Sequence, residues 1–405
     1  MSGAPPPAPL KGRRIVLGVS GSIAAYKAFE VARRLEDAGA TVDVALTANA
    51  ARFAPPFTFR NLVRGVVSDD MWATDVEPEL HVELGRRADA LIIAPASATT
   101  IAKLAHGIGD SMVTLTALAT AAPLALAPAM DAQMYAHPAV QTNLETLKAR
   151  GVLIVGPARG RLASGREGLG RMLEPAEIVG AVRALLGRSD GDLSGRHIVI
   201  SAGGTREAVD PVRYVTNRSS GRMGFALAEA ARDRGAAVTL VSTQAPPDGL
   251  FGVVVDRVES AEEMKAAIDH RLPGTDALIM AAAVADYRPK QQAPQKIKKE
   301  AAGAELTIEL EENPDILGSA EGRFVKVGFA AETEDLIANA AKKLDSKGLD
   351  LIVANDVTAS DAGFASETNR VVLIGRGGEQ EALPLLHKYD VAQRVLDRVV
   401  ALLQR

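Results

Sequence analysis

The chain has no cysteine among its 405 residues, which excludes a disulfide framework, a thiolate metal site and a cysteine nucleophile together. It also lacks a strong charge of either sign. A formal net charge of -4 gives no general field for nucleic acid or an anionic membrane, so any anionic ligand must be gripped by local groups and no nucleic-acid partner is expected. The opening residues, MSGAPPPAPLKGRR, put prolines where a secretory signal needs a continuous apolar core. Residues 1–11 therefore read as a disordered tail and the protein as cytoplasmic. Only Met112 to Met130 approaches the roughly 20 uncharged residues that span a bilayer, and Pro123 and Pro128 interrupt it. A buried helix, Met112 to Thr120, followed by a core strand, Pro123 to Ala127, accounts for the run, because strands covered on both faces read as continuous apolar segments. No membrane partner is expected.

What the chain does contain, 47% hydrophobic and 24% charged residues, suffices for two cores of roughly 100 to 200 residues each. RRIVLGVSGSIAAYKAFEVARRL, Arg13 to Leu35, sets an apolar run against a glycine and serine turn and then an amphipathic stretch. RHIVISAGGTREAVD, from Arg196, repeats the scheme. Strands are expected at Ile15 to Gly18, Val42 to Leu46, Ala90 to Ala94, Leu124 to Ala127 and Leu153 to Val155, with helices at Ala24 to Ala38, Thr142 to Arg150 and Ala176 to Leu186. In the second half strands are expected at Ile198 to Ser201, Val238 to Val241, Ala277 to Ala281, Lys326 to Phe329 and Leu351 to Ala354, with a further alternating β element at Leu306 to Leu310. Helices are expected there at Met223 to Arg234, Ala261 to His270, Glu334 to Leu344 and Val391 to Leu403. Such alternation implies α/β units with doubly wound parallel sheets and ligands at the carboxyl ends of the strands. The polar stretch Gly187 to Arg196 reads as a linker, leaving domains at 12–187 and 196–405 with 188–195 between them. Lys290 to Glu300, lysine-rich and flanked by prolines, reads as a loop that closes over an anion or as a solvated connector.

The first loop can turn backbone N–H groups and hydroxyls of Gly18, Ser20, Gly21 and Ser22 toward a phosphate at the start of the next helix, whose dipole also favours an anion. Thr47 ends the following strand within reach. A glycine loop after a strand often makes only a tight turn, but three further segments accompany this one: HVELGRRADALIIAPASATTIAKLAHGIGDSM, APAMDAQMYAHPAVQTNLETLKARG and LASGREGLGRMLEP. Together they resemble the homo-oligomeric flavin-containing cysteine decarboxylases, specifically the phosphopantothenoylcysteine decarboxylase domain, over about Lys11 to Gly187. The resemblance implies FMN held by Gly18 to Ile23, including Ile23 itself, by Thr47, and by Pro95, Ala96, Ser97 and Thr99, with Ser111 nearby. A flavin supplies the electron sink that decarboxylation of a cysteine amide needs: oxidising the thiol to a thioaldehyde places the carboxylate β to a C=S group.

His81 matches the family's active-site histidine, a base or positioner for the thiol and carboxylate. Met130 and Asp131 match the position that orients the substrate carboxylate, where the commonest form has Asn; an Asp there repels a carboxylate unless protonated or paired with a cation. Ser164 stands where the better-known form has a cysteine as proton donor. Serine is a far weaker acid, so the expectation is a variant clamp with Ser164 or a bound water as donor.

SAGGTREAVDPVRYVTNRSSGRMGFALAEAA, from Ser201, followed in order by MAAAVADYRPKQQAPQKIKKE, ELEENPDIL, VGFAAETED and VANDV, resembles phosphopantothenate–cysteine ligase from about Leu193 to the C-terminus. Amide formation from a carboxylate is uphill in water, and the bacterial family activates the acid with CTP as an acyl-cytidylate. Asn217 matches the residue that steadies this intermediate, as an uncharged donor suits a developing oxyanion, and Arg213 fits a substrate phosphate or carboxylate. Lys296, among Lys298 and Lys299, matches the triphosphate-binding loop. Asp286 fits a nucleotide or Mg²⁺ contact. Asn313, Pro314, Asp315, Ile316, Phe329, Lys343 and Lys347 match further CTP-binding positions, although exposed charge on a helix explains the last two nearly as well.

The two resemblances imply two Rossmann-like (flavodoxin-like) domains in tandem and a bifunctional coenzyme A biosynthesis enzyme acting on 4'-phosphopantothenate, cysteine and CTP. They also imply a homo-oligomer, with flavin domains in trimers and ligase domains in dimers, building a dodecamer. A flavin and NAD(P) oxidoreductase would use the same two loops but leaves Asn217 and the lysines unexplained. A flavin-binding regulatory subunit would have lost His81.

Overall fold

The computed structural model of the chain describes residues 4, 6–72, 79–298, 305–332, 336–356 and 366–404. It divides into two compact units, one of residues 8–190, the other of residues 191–405 with the first seven. The first unit holds a six-stranded sheet of β1 (Arg14–Val19), β2 (Thr41–Leu46), β3 (Val67–Ser68), β4 (Ala90–Ala96), β5 (Leu124–Pro128) and β6 (Leu153–Ile154), in the order β3-β2-β1-β4-β5-β6 and parallel throughout. The order reverses between β1 and β4, and loops leaving those strands diverge to open a crevice. Ile15, Val16, Leu17 and Val19 of β1 are all buried, as a strand covered on both faces requires.

Helices flank the sheet: α1 (Lys27–Asp37), α2 (Ala48–Phe53), α3 (Pro56–Arg60), α4 (Leu80–Arg87), α5 (Ala98–His106), α6 (Met112–Ala119), α7 (Ala132–Ala136), α8 (Pro138–Ala149) and α9 (Pro175–Asp190). In α1 the buried residues Ala28, Val31, Ala32 and Leu35 fall on one face, the spacing of an amphipathic helix. A 3₁₀ turn, Ile23–Tyr26, precedes it, so the helix starts three residues later than expected. The uncharged run is the expected helix, α6, and the core strand β5. Among the described residues no helix is long and apolar enough to cross a membrane.

Two expectations for this unit change. Residues 8–11 are folded rather than loose: Leu10 is buried and its N–H donates to Ala38 O at 2.8 Å, capping the end of α1. The linker is shorter than its composition suggests, because α9 continues through Gly187 to Asp190. Gly187 is buried and the carboxylate of Asp190 accepts from Arg13 at 2.5 Å, so both polar-looking residues are anchored.

The second unit has an eight-stranded sheet of β9 (His197–Ala202), β12 (Ala237–Ser242), β13 (Val254–Arg257), β14 (Ala277–Met280), β17 (Val325–Glu332), β18 (Leu351–Asp356), β20 (Val371–Gly375) and β21 (Gln380–Ala382), in the order β13-β12-β9-β14-β17-β18-β20-β21. The first six strands are parallel and again reverse at β9 and β14. The last two pairings are antiparallel, a departure from an all-parallel sheet: the turn joining β20 to β21 is too short for a crossover. Helices α10 (Arg222–Asp233), α11 (Ala261–Arg271), Leu336–Ser346 and Lys388–Leu403 flank it; the expected start at Glu334 lies outside the described residues.

Among the described residues four small β pairs complete the site-bearing loops: β7 (Ala158–Arg161) with β8 (Glu167–Arg171), β10 (Arg206–Ala208) with β11 (Tyr214–Thr216), β15 (Tyr287–Pro289) with β16 (Leu310–Glu312), and β19 (Thr368–Asn369) with β22 (Leu386–His387). The alternating segment Leu306 to Leu310 is strand only at its last residue. Leu306, Ile308 and Leu310 are all exposed, so the alternation has no buried face to set it.

Asp43 on β2 tests the first core. Its fully buried side chain accepts from Arg14 and Arg87, each at 3.0 Å, and from the Val66 N–H at 2.8 Å. Asp43→Ala should cost about 3 kcal/mol, at the low end for a broken buried ion pair because both arginines remain partly exposed. Asp43→Asn should cost less. Calorimetry of the full chain checks both, and an Ala variant with unchanged transitions would show that the triad contributes nothing.

Candidate functional site

In the first unit, short hydroxyl residues end the strands because each begins a helix. Ser22 accepts from the Ala24 N–H at 3.3 Å, Thr47 from Ala50 N–H at 3.1 Å and Ser97 from Thr100 N–H at 3.3 Å. Each thereby satisfies one donor that the first turn cannot pair. Ser111 caps α6 in a reciprocal capping box with Thr114. Gly21, Ser22, Thr47, Ser97, Thr99 and Met130 come together around a cavity of about 310 Å³ at the carboxyl ends of the strands. A Cβ on Gly21 would lie 2.7 Å from Asn49 Cβ, so only glycine lets this loop approach α2.

Other expected residues stand behind the cavity. Ser20 is fully buried; its hydroxyl donates to Pro95 O at 2.8 Å and accepts from the Ser97 N–H at 2.8 Å. It ties the first loop to the β4 loop and does not present a hydroxyl to a ligand. Gly18 lies within β1, where a Cβ would come 2.9 Å from Ile93 Cγ1, a packing requirement. Pro95 and Ala96 are buried at the end of β4, whereas Ile23 is 63% exposed. Ser111 and His81 are not among the cavity's lining residues. His81 sits half-buried on α4.

The β7–β8 hairpin lies over the turn that follows β5. Met130 N–H donates to Gly170 O at 3.0 Å, and a Cβ on Gly168 would come 2.6 Å from Ala132 Cβ. This seating brings the hairpin tip to Asp131, whose Oδ2 accepts from the Ser164 hydroxyl at 2.8 Å. Its Oδ1 accepts from the Gln133 N–H at 3.0 Å. The Gln133 N–H, the Ser164 hydroxyl and nearby Arg166 hold Asp131 below the usual carboxylate range. Of the two conditions that would let an Asp face a carboxylate, protonation is disfavoured and a neighbouring cation is present.

The second unit opens a cavity of about 810 Å³ at its own strand reversal, lined by the segments 217–223, 280–287, 312–317 and 328–330. Asn217, Asp286, Asn313, Pro314, Asp315, Ile316, Phe329, Lys343 and Lys347 all line it. The side-chain amide of Asn217 donates to Val284 O at 3.0 Å. That of Asn313 donates to Ala285 O at 2.9 Å, which fixes its orientation and leaves Asn313 Oδ1 buried without a partner. Asp315 accepts from the Gly318 N–H and from Lys347, each at 3.0 Å. Burial pushes its acidity one way, but these two donors prevail and keep it below the usual range. Lys347 therefore spends its charge within the protein.

Arg213 and Lys296 do not line this cavity. The guanidinium of Arg213 is engaged by Asp210, Nε to Oδ2 at 3.0 Å, and by Ile297 O at 2.9 Å. Lys296 is exposed on the lysine segment, and Lys299 lies outside the described residues. Among the described residues no cluster of three or more His, Asp or Glu could hold a metal ion.

Several lining residues carried no distinctive sequence signal. Asn49 and Lys103 join the first cavity; Asn355, Asn369 and Lys388 join the second. Lys388 is buried. Burial, with Arg222 beside it, pushes its ammonium down to about 8, against the pull of Glu367. Asn355 lay in the VANDV segment and Asn49 two residues after Thr47, so both were within reach of a loop-by-loop reading; a lysine at the head of the last helix was not.

Residues 4–187 match the Flavoprotein family, and residues 193–403 match the DNA/pantothenate metabolism flavoprotein C-terminal domain. The coenzyme A biosynthesis bifunctional protein of Vibrio cholerae is 46% identical over 392 residues, covering 96% of this chain and 98% of that one. Its namesake in Escherichia coli is 46% identical over 398 residues, covering 96% and 97%. A crystal structure of the C-terminal domain of such a bifunctional protein is 39% identical, covers 53% of this chain and 99% of that one, and has a TM-score of 0.44. Matched in order by both domain families, and alike over nearly its whole length to these relatives, the chain belongs to the coenzyme A biosynthesis bifunctional proteins.

Proposed function

We propose that the second unit joins 4'-phosphopantothenate to cysteine at the expense of CTP, through an acyl-cytidylate, and that the first unit decarboxylates the product to 4'-phosphopantetheine with FMN. The observation that carries this reading is the pairing, within one family member, of a helix-capped phosphate cradle under a clamp hairpin with a larger crevice containing an unpaired buried acceptor.

The first cavity fits a flavin phosphate. Three helical first turns, capped by Ser22, Thr47 and Ser97, converge where Gly21 leaves room for close approach, and such termini favour an anion. FMN, when bound, would take two electrons from the substrate thiol before decarboxylation and return them once CO₂ has left. The chain's own part is to hold substrate under the hairpin. The ionised Asp131 orients the Ser164 hydroxyl, and Ser164, directly or through a bound water, returns a proton to the ene-thiolate left by loss of CO₂. His81 serves as base or positioner for the thiol.

The second cavity suits a cytidine nucleotide. Asn313 Oδ1 offers a fixed acceptor to an exocyclic amine, and a buried acceptor without a partner calls for a donor. The start of α10, with Ser219 and Gly221 in the wall, favours phosphate. Asp286 would share a Mg²⁺ ion with those phosphates, since that cation usually takes only one or two protein carboxylates. Asn217 steadies the acyl intermediate and Lys296 the triphosphate. Exposed Ile23, Tyr26, Phe53, Phe57 and Trp72 leave apolar surface on the flavin unit for self-association; trimers of flavin units, dimers of ligase units, a dodecamer overall and a cytoplasmic location complete the proposal.

Purified protein given phosphopantothenate, cysteine, CTP and Mg²⁺ should release pyrophosphate and yield phosphopantetheine by mass spectrometry; a stall at phosphopantothenoylcysteine would sink the decarboxylase assignment alone. Ser164→Ala should lower the final yield roughly a hundredfold, as expected for a general acid, and accumulate the oxidised ene-thiol, whereas full yield without it would remove the serine from that role. Asn313→Ala should weaken CTP use roughly tenfold through loss of a buried acceptor, leaving decarboxylation of supplied intermediate intact; parent-like CTP kinetics would exclude base recognition there.

A further inference from the structure

The lysine segment is not a free flap, because a buried carboxylate outside the cavity pins it. Asp210 lies in the turn of the β10–β11 hairpin, with its side chain fully buried. Its Oδ1 accepts from the Val212 and Arg213 N–H groups at 2.8 and 2.9 Å. Its Oδ2 accepts from Arg213 Nε at 3.0 Å and from the backbone N–H of Ile297 at 3.1 Å. Arg213 closes the ring by donating to Ile297 O at 2.9 Å. One further bond, Ala293 N–H to Val209 O at 3.0 Å, stitches the segment to the same turn. Lys296 is thus the residue next to one anchor and three from the other.

The same hairpin governs Asn217. At the end of β11, the Thr216 hydroxyl donates to Thr205 O at 2.6 Å, and a Cβ on Gly204 would come 2.5 Å from Asn217 O. The turn that grips the lysine segment is therefore rigidly continuous with the strand that delivers Asn217 to the crevice. Backbone N–H groups and a guanidinium keep Asp210 well below the usual carboxylate range, so the anchor stays charged at working pH.

We propose that Asp210 is a positioning residue of the ligase site, registering Lys296 against Asn217 through Ile297, with Arg213 as the strut of that anchor. This rests on the reading of the second unit as a CTP-dependent ligase in which Lys296 meets the triphosphate. An acidic residue with no contact to the crevice then sets where a catalytic cation can reach.

The test uses the full chain and the substitution Asp210→Asn, which keeps shape and one acceptor but removes the charge. Trypsin digestion without nucleotide, mapped by mass spectrometry, should cut after Lys296 and Lys298 at least roughly tenfold faster than in the parent, since breaking one partner of a buried charge pair frees the other. CTP kcat/KM should fall by roughly tenfold, while decarboxylation of supplied phosphopantothenoylcysteine is unchanged. In a Lys296→Gln background, Asp210→Asn should add little, because two residues acting through one element are not additive. Cleavage at the parent rate, or losses that multiply in the double variant, would overturn the proposal. If the parent shows no CTP-dependent turnover, the ligase reading fails on its own, and the cleavage rates still decide whether Asp210 anchors the segment.

Discussion

A helix begins with backbone N–H groups that have no partner inside it, and both crevices are organised around that deficit. In each unit the parallel strands end together on one side of the sheet, so the helices that follow begin there together. Where the strand order reverses, the loops part, and helical first turns face a common space. Short hydroxyl caps settle one donor in each of three turns around the first cavity, leaving the others for an anion. The fold favours a short hydroxyl side chain at those positions whether or not a ligand is present, so capping residues and cavity-lining residues coincide at Ser22, Thr47 and Ser97 but not at Ser20, whose hydroxyl is consumed inside the protein.

The clamp follows a similar logic of complementary donors and acceptors. An ionised carboxylate can only accept, whereas an amide both donates and accepts. With Asp131 ionised and already capping α7, the group at the hairpin tip has to donate, and the Ser164 hydroxyl does so. A carboxylate beside it favours the protonated form of that hydroxyl, so the hydrogen bond from Ser164 to Asp131 keeps the proton on the serine. Arg166 in the same turn moderates the negative charge that the substrate carboxylate would meet. Aspartate and serine are therefore consistent as a pair, and each would be less suited to the partner the commoner family form provides.

Most of both sheets could be read from the sequence because burial on two faces leaves an unmistakable trace: the runs at β1, β4, β9 and β14 are almost wholly apolar and almost wholly buried. The strand alternation at Leu306 to Leu310 misled because a period of two says nothing about whether a face is covered. The polar end of α9 misled for the opposite reason, since Gly187 is buried and Asp190 is held by Arg13 from far along the chain. Local composition carries no record of such a partner. In the second crevice the loop residues from Asn313 to Ile316 were legible as a contiguous motif, while Lys388 reaches the wall only through the placement of the last helix against the sheet.

Arginine and lysine residues near an anion site invite assignment as ligands, and the structure divides them by where their charge is already spent. Arg213 is committed to Asp210, Lys347 to Asp315 and Lys103 to Asp110. These pairs shape the walls more than they add positive potential, because a cation held by a carboxylate at hydrogen-bond distance presents little net charge to a third group. On the proposed reading, a triphosphate would meet groups of another kind: the N-terminal end of α10 and the buried ammonium of Lys388 in the wall, and the exposed lysine segment. Of these, only the lysine segment lies outside the cavity wall, and so only it needs an anchor to fix its reach. Asp210 can stay buried and charged because backbone N–H groups and the Arg213 guanidinium satisfy both its oxygens, and one of those N–H groups, that of Ile297, belongs to the lysine segment itself.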